Sequence, residues 1–241
     1  QAVGPGHAGR ELSEEGQARV HEHALAVARD EQAALERRLG YIPGPGDRVA
    51  ESLAAVGYEV TLLPEERLAS EKLERFEAIL VGVRAFNANP RLALHHDRLM
   101  QYVERGGRLL VQYNTNSRVG PLNASLGPYP LELGRDRVTD ETAAMTPVDP
   151  KEPLLSGPNR LAAADFEGWV QERGLYFASK WDERYRPVFA MNDPGEEPLS
   201  GGLLVARHGK GTFIYTGIAF FRQLPAGVPG SYRLLANLLE R

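Results

Sequence analysis

What most constrains the fold of this chain is an alternation, between residues 41 and 113, of short apolar runs with longer amphipathic stretches. Tyr41-Ile42 precedes the breaker-rich Pro43-Gly44-Pro45-Gly46, and Val49, Leu53 and Val56 then recur at helical spacing before Gly57, a left-handed stop. Asp47 is placed to cap that helix. The run 58–63 predicts a second strand, 64–76 a second helix, and 78–83 (AILVGV) a strand apolar on both faces, as parallel strands are. Pro90 opens a helix reaching Arg105, Gly106-Gly107 stops it, and 108–113 (RLLVQY) supplies a fourth strand. Such alternation predicts an α/β, doubly wound, mainly parallel sheet with helices on both faces and right-handed crossovers.

Beyond Asn114 the pattern loosens as far as Pro158, with only 131–138 suggesting extended structure. Four later runs, 174–178, 187–191, 203–206 and 212–216, predict mostly antiparallel strands added in the second half, and a helix over about 231–240 closes the chain. At the other end, residues 10–39 are charged with a thin apolar stripe, which predicts a helical arm. The expected organisation is an arm or remnant of a preceding region over 1–39 and one α/β domain over 40–241. A first residue other than Met suits a processed chain or a piece of a longer protein.

With 28 basic against 32 acidic residues, the formal charge of −4 offers no broad positive field for nucleic acid. No apolar run approaches the roughly 20 residues that span a bilayer, so membrane insertion is not expected. Zero cysteines remove disulfides, thiolate nucleophiles and cysteine metal sites, and fit either a reducing compartment such as the cytoplasm or a disulfide-free exported protein. No cofactor is expected: Gly44-Pro45-Gly46 lacks the GxGxxG spacing and the P-loop lysine. Neither His21 with His23 nor His95 with His96 has the i, i+4 spacing that places two imidazoles on one helix face, so no metal is expected either.

In an open parallel sheet, ligands bind beyond the carboxyl ends of the strands, near the switch in strand order. Three loops qualify: 43–47, 84–90 (RAFNANP) and 114–118 (NTNSR). Asn87, Asn89, Asn114 and Asn116 offer donors and acceptors, and Arg84 and Arg118 offer forked donors, a set suited to a sugar, carboxylate or phosphate. Asparagine is equally an ordinary former of tight turns, and that alternative stands beside the first. Tyr113, at the end of its strand, and Trp181, from the aromatic group Trp169, Tyr176, Phe177, Trp181 and Tyr185, complete the candidate contacts, with Trp181 expected to be exposed. No GxSxG elbow occurs; Thr115 and Ser117 come nearest to a nucleophile position.

The segments YIPG at 41–44, VGVRAFN at 81–87, YVERGGRLLVQYNT at 102–115, FEGWVQERGLYF at 166–177 and GKGTFIYTGIAFFRQLPAGVPGSYRLLANLL at 209–239 together resemble the C-terminal amidotransferase-like region of bacterial PIG-L (LmbE-type) deacetylases. More distantly, the layout is similar to ThuA-like domains. The resemblance implies a flavodoxin-like sheet of the class I glutamine amidotransferase type, with a nucleophile after the strand ending near Tyr113. That place reads Tyr113-Asn114-Thr115, and the strand that elsewhere leads to a catalytic His reads Tyr215-Thr216-Gly217, so both partners of the thiol dyad are missing. The deacetylase AHPDD motif is missing as well. The expectation is a non-catalytic accessory domain that binds a carbohydrate-like ligand or packs on a deacetylase domain of the same polypeptide. Two alternatives accompany it. One is a hydrolase acting on a sugar derivative through Thr115, Ser117 or a water held by Asp182. The other is a structural or homodimerising module in which residues 220–230 and the N-terminal arm make the contacts, a reading that exposure of Phe220 or Phe221 would favour.

Overall fold

A computed structural model describes residues 37–240. The arm predicted over 10–39 lies outside the described residues except for its last three. Two of these, Arg38 and Leu39, belong instead to the first strand, β1 (Arg38–Ile42). Leu39 is fully buried and pairs with both Val60 and Ala78, so ladder hydrogen bonds and core burial outweigh any helical continuation.

The first half follows the predicted grammar except at α3, a one-turn helix within 84–90 where a loop was expected: α1 (Val49–Ala55), β2 (Glu59–Leu62), α2 (Glu65–Leu68), β3 (Ala78–Val81), α3 (Ala85–Ala88), α4 (His96–Glu104) and β4 (Arg108–Gln112). Two helices differ from expectation. The stretch 64–76 splits into α2 and a 3-10 turn, Leu73–Arg75, because Leu68 and Leu73 are the buried anchors and their spacing of five does not fit one helical face. Likewise 90–105 begins as a 3-10 segment, Pro90–His95, with the Asn89 side chain accepting from Arg91 N, before α4 takes over.

The irregular middle contains short antiparallel pairs. β5 (Leu131–Leu133) pairs with β9 (Ala178–Trp181), β6 (Arg137–Val138) with β8 (Gly174–Leu175), and β7 (Thr146–Pro147) with β11 (Phe189–Ala190). β10 (Tyr185–Pro187) joins the main sheet, followed by β12 (Leu203–His208), β13 (Gly211–Thr216), α5 (Phe220–Gln223) and α6 (Pro229–Leu239). The seven-stranded sheet runs β10-β12-β13-β4-β3-β1-β2. Its five strands from β2 to β13 are mutually parallel, and β12 and β10 extend it antiparallel. β13 therefore departs from the antiparallel expectation on one side: it pairs antiparallel with β12 but lies parallel to β4 at the sheet centre.

Alternate residues feed two cores. Leu80, Leu110 and Ile214 face α1 and α6, whereas Ile79, Val81, Leu109, Val111 and Phe213 face α2 and α4. Each fully buried Leu or Ile is worth about 1.5–3 kcal/mol of transfer free energy, so the central strands contribute strongly to stability.

Strand order reverses between β1 and β3, and the two loops beyond that point touch. A Cβ on Gly44 would lie 2.1 Å from Val83 O, and one on Gly82 would lie 2.4 Å from Gly44 N, so only glycine permits this approach. The Asp47 carboxylate pins the contact. It accepts from Val83 N at 3.0 Å, from Val49 N at 3.3 Å and from the Tyr41 hydroxyl, and Gln112 Nε2 in turn donates to Tyr41 Oη at 3.3 Å. The N-cap of α1 is Arg48 and not Asp47 as expected; Asp47, one residue earlier, accepts from Val49 N and bolts two loops together.

Removing three accepted bonds at once takes the partner from a buried hydroxyl and from two backbone N–H groups, so Asp47→Ala should cost about 2–4 kcal/mol in urea unfolding, and Asp47→Asn distinctly less. Burial, the largest influence, pushes this carboxyl above the usual carboxylate range. The folded state then holds a proton that the unfolded chain has already released. The stability of wild type relative to Asp47→Asn should accordingly fall as pH rises from about 4 through the raised folded value; a difference independent of pH would refute the assignment.

Candidate functional site

Beyond the carboxyl ends of β3, β4 and β13 lies a cavity of about 490 Å³, lined by Arg84, Thr115, Asn116, Ser117, Arg135, Arg137, Leu175 and Tyr176. Its position follows from the sealed contact at Gly44 and Gly82, which leaves no room at the reversal of strand order itself. One wall is the loop after β3. Val81 ends the strand, Arg84 is left-handed at φ 56°, and α3 starts at Ala85, which together form a sharp strand-to-helix elbow. A second wall is the loop after β4, which does not enter a helix. The third is the ribbon made by β5–β6 against β8–β9, in which Tyr176 is left-handed at φ 53°. That ribbon sits directly on the end of β13: a Cβ on Gly174 would meet Gly217 O at 2.5 Å, and the Tyr215 hydroxyl donates to Tyr176 O.

The asparagines hold these walls together. Asn87 makes a two-way clamp on the Thr115 backbone, donating to Thr115 O at 2.9 Å and accepting from Thr115 N at 2.8 Å. Asn114 is fully buried; it accepts from Phe86 N at 3.1 Å and donates to Gln112 O at 3.1 Å. Asn116 donates to Leu133 O at 3.2 Å and accepts from Leu122 N at 3.1 Å, which fastens the loop to the ribbon. With the bond from Arg84 N to Tyr113 O at 2.8 Å, the three walls become one rigid unit.

Of the residues nominated from sequence, the structure places Arg84 and Asn116 in this cavity. Asn87 lines a neighbouring depression of about 340 Å³ that shares Thr115 and Ser117 with it. Tyr113 lies beneath, its ring stacked on Tyr176 at 5.5 Å and tilted against Phe221 at 5.4 Å. Burial pushes the Tyr113 hydroxyl up, and the charges of Arg84 and Arg222 draw part of that shift back. Asn89 is spent on its 3-10 turn, Asn114 is inside the protein, and Arg118 is exposed without lining the cavity. Trp181 is half buried rather than exposed. It pairs with Leu131 and packs against the core, because the β5–β9 ladder turns its indole inward. Phe177, Tyr185 and Trp169 are core.

Arg135, Arg137, Leu175 and Tyr176 were not singled out from sequence as contacts on this cavity. The available signal was two arginines spaced by two within a predicted extended run, since that spacing puts both on one side.

Neither hydroxyl on the cavity has a base beside it. Ser117 Oγ accepts from Gly120 N at 3.0 Å, and the lining holds no carboxylate or imidazole. Asp182 lies elsewhere and is held by Arg184 at 2.7 and 2.8 Å, which lowers its pKa to about 2. His95 is engaged with Glu65 at 2.8 Å and His96 with Gly127 O at 3.1 Å. Among the described residues, no group of three His, Asp or Glu is placed to hold a metal ion, and no helix is long and apolar enough to cross a membrane.

No protein-family model and no curated protein matches the sequence. Among solved structures, the chain is similar to a GMP synthase subunit protein from Thermoplasma acidophilum, with TM-score 0.45 and 9% identity over 83% of this chain and 96% of that one. It is also similar to a cold-adapted β-galactosidase from Rahnella sp. R3, with TM-score 0.43 and 16% identity over 84% of this chain and 31% of that one. A third similarity is to the exo-β-1,4-mannosidase Op5Man5 from an Opitutaceae bacterium, with TM-score 0.42 and 17% identity over 86% of this chain and 37% of that one. The chain spans about a third of the length of these two glycosidases.

If the asparagines are structural stitches, their deletion should be felt in folding. Asn114→Ala strands the Phe86 N–H in the interior and should cost about 2–3 kcal/mol, whereas Asn89→Ala, at a half-exposed turn, should cost under about 1 kcal/mol by the same urea titration. Equal costs would contradict the division of roles.

Proposed function

We propose that this chain is a non-catalytic accessory domain of flavodoxin-like, class I amidotransferase-like architecture. In this reading it works beside a deacetylase domain of a PIG-L (LmbE-type) polypeptide and holds a carbohydrate-like ligand in the cavity beyond β3, β4 and β13. The architecture is supported by the parallel strand order β2-β1-β3-β4-β13, which is the 2-1-3-4-5 order of flavodoxin-like sheets.

The observation that carries the non-catalytic reading is the elbow after β3. In hydrolases built on such sheets, a left-handed strand-to-helix turn presents the nucleophile, and the following backbone N–H helps to form the oxyanion hole. Here the left-handed residue is Arg84, which has no nucleophilic atom, and the elbow follows β3, whereas the resemblance put the nucleophile after the strand ending near Tyr113, β4, whose loop enters no helix. The next two N–H groups are already engaged, Ala85 N with Gly82 O at 3.2 Å and Phe86 N with Asn114 Oδ1 at 3.1 Å. The turn therefore retains its shape while offering neither attack nor oxyanion stabilisation. Hydroxyl and guanidinium groups on a rigid polar wall, with Tyr176 and Leu175 opposite, suit the polar edges and apolar faces of a sugar ring.

Exposure of Phe220 or Phe221 would favour the structural or dimerising alternative, whose other element, the N-terminal arm, lies outside the described residues but for its last three. Phe220 is fully buried, and Phe221 is half buried against Tyr113, so this loop offers no apolar patch to a partner.

The test is a thermal-shift series with hexoses, amino sugars and sugar acids, run alongside turnover assays on aryl glycosides and esters. A ligand at about 100 times its Kd adds roughly 2.7 kcal/mol to the folded state, a rise of about 5–10 °C for a domain of this size. Arg84→Ala should abolish the response without lowering the unliganded Tm by more than about 2 °C. Turnover that disappears with Thr115→Ala or Ser117→Ala would replace this reading with the hydrolase one.

A further inference from the structure

Three of the eight residues lining the cavity are arginines, Arg84, Arg135 and Arg137. None forms an ion pair or a side-chain hydrogen bond with another described residue. Other arginines of the fold are neutralised, Arg222 by Glu172 at 2.6 Å, Arg184 by Asp182, and Arg186 by Glu152 at 2.6 Å. Acidic residues outnumber basic ones in the chain, 32 to 28, so the lack of a carboxylate here does not follow from composition. Asp136, between Arg135 and Arg137, does not line the cavity.

The three guanidinium groups come from different parts of the fold, Arg84 from the elbow after β3 and the other two from the ribbon edge at β6. Loop and ribbon are locked to each other by the bond from Asn116 to Leu133 O, so the arginines are held facing one space before any ligand arrives. All three side chains are exposed, so their charges stay solvated in the empty cavity and remain available to a counter-charge that enters it. The forked donors of arginine fit the paired oxygens of a carboxylate or phosphate. Thr115, with its hydroxyl directed to no other described residue, adds a neutral donor to the same wall.

We propose that this cavity contains an oxyanion subsite, in which Arg84, Arg135 and Arg137 together clamp the carboxylate or phosphate of the bound ligand. The inference rests on the reading of the cavity as a ligand site and narrows the ligand to the acidic members of the carbohydrate class.

The experiment is isothermal titration of the full chain with glucuronate, glucose 6-phosphate, inorganic phosphate and neutral glucose, at 50 and 500 mM NaCl. Wild type should bind at least one of the three anions, with affinity falling at high salt, and should bind glucose at least about tenfold more weakly. Whether glucuronate or the two phosphates bind more tightly identifies the head group. Arg135→Ala and Arg137→Ala should each weaken anion binding about tenfold or more, and Arg135→Lys, which keeps the charge and loses the fork, should fall between. Arg105→Ala, at the opposite end of the sheet, should change nothing and controls for net charge. Glucose binding as tightly as the anions, unaffected by the arginine variants, would overturn the subsite while leaving the carbohydrate reading intact. No heat with any of the four compounds would overturn both.

Discussion

The contact on which the geometry depends is the one between Gly44 and Gly82, fastened by Asp47. An open parallel sheet ordinarily leaves its crevice where strand order reverses, because the loops diverge to either side. In this protein the two loops converge until backbone meets backbone, and a carboxylate bonded to Val83 N and to Tyr41 fills what gap is left. Two consequences follow. The space for a ligand moves sideways, above β3, β4 and β13, and its far wall must come from a part of the chain outside the βα alternation. The ribbon of residues 131–138 against 174–181 provides that wall.

A wall assembled from three separate segments would be loose without cross-links, and the asparagines supply them. An amide side chain presents one donor and one acceptor in the arrangement of a peptide group, so Asn87 and Asn116 each act as a piece of borrowed backbone joining two segments. Loop ordering is thereby completed during folding and not at binding, which lowers the entropy that a ligand would have to offset. The same bonds consume the amides as recognition groups. The guanidinium groups and the Thr115 hydroxyl remain on the cavity with their donors uncommitted.

This explains what was legible in the sequence. The βα grammar of the first half reads correctly because helical and strand periods are local, and the stop at Gly57 and the closing helix are equally local signals. The split of 64–76 was not legible, since Leu68 and Leu73 belong to an apolar run that a single helix could have carried had tertiary packing not selected both as anchors. The place of β13 beside β4 could not be read either, because it pairs residues about a hundred positions apart. At the site, Arg84 and Asn116 were visible as polar residues after strands, but Arg135 and Arg137 reach the cavity only through the pairing of 137–138 with 174–175, a long-range choice with no local signature. Asparagine was ambiguous for a physical reason: the property that suits it to bind a sugar also suits it to mimic backbone.

Backbone strain in the described residues is concentrated around the same region. The non-glycine residues with positive φ are Arg84, Gln171 and Tyr176. Arg84 and Tyr176 line the cavity, and Gln171 bonds to Arg222, next to the Phe221 ring that leans on Tyr113. Left-handed backbone costs a non-glycine residue about 1–2 kcal/mol, and a chain free to relax would substitute glycine or straighten the turn. Here neither turn can straighten locally, since Arg84 N is tied to Tyr113 O and Tyr176 O receives the buried Tyr215 hydroxyl. Glycine at either position would relieve the strain but remove a side chain from the cavity. The strained backbone and the unneutralised arginines therefore meet in one arrangement: the left-handed turns are a cost to the empty protein, and Arg84 and Tyr176, which carry them, line the same cavity as Arg135 and Arg137.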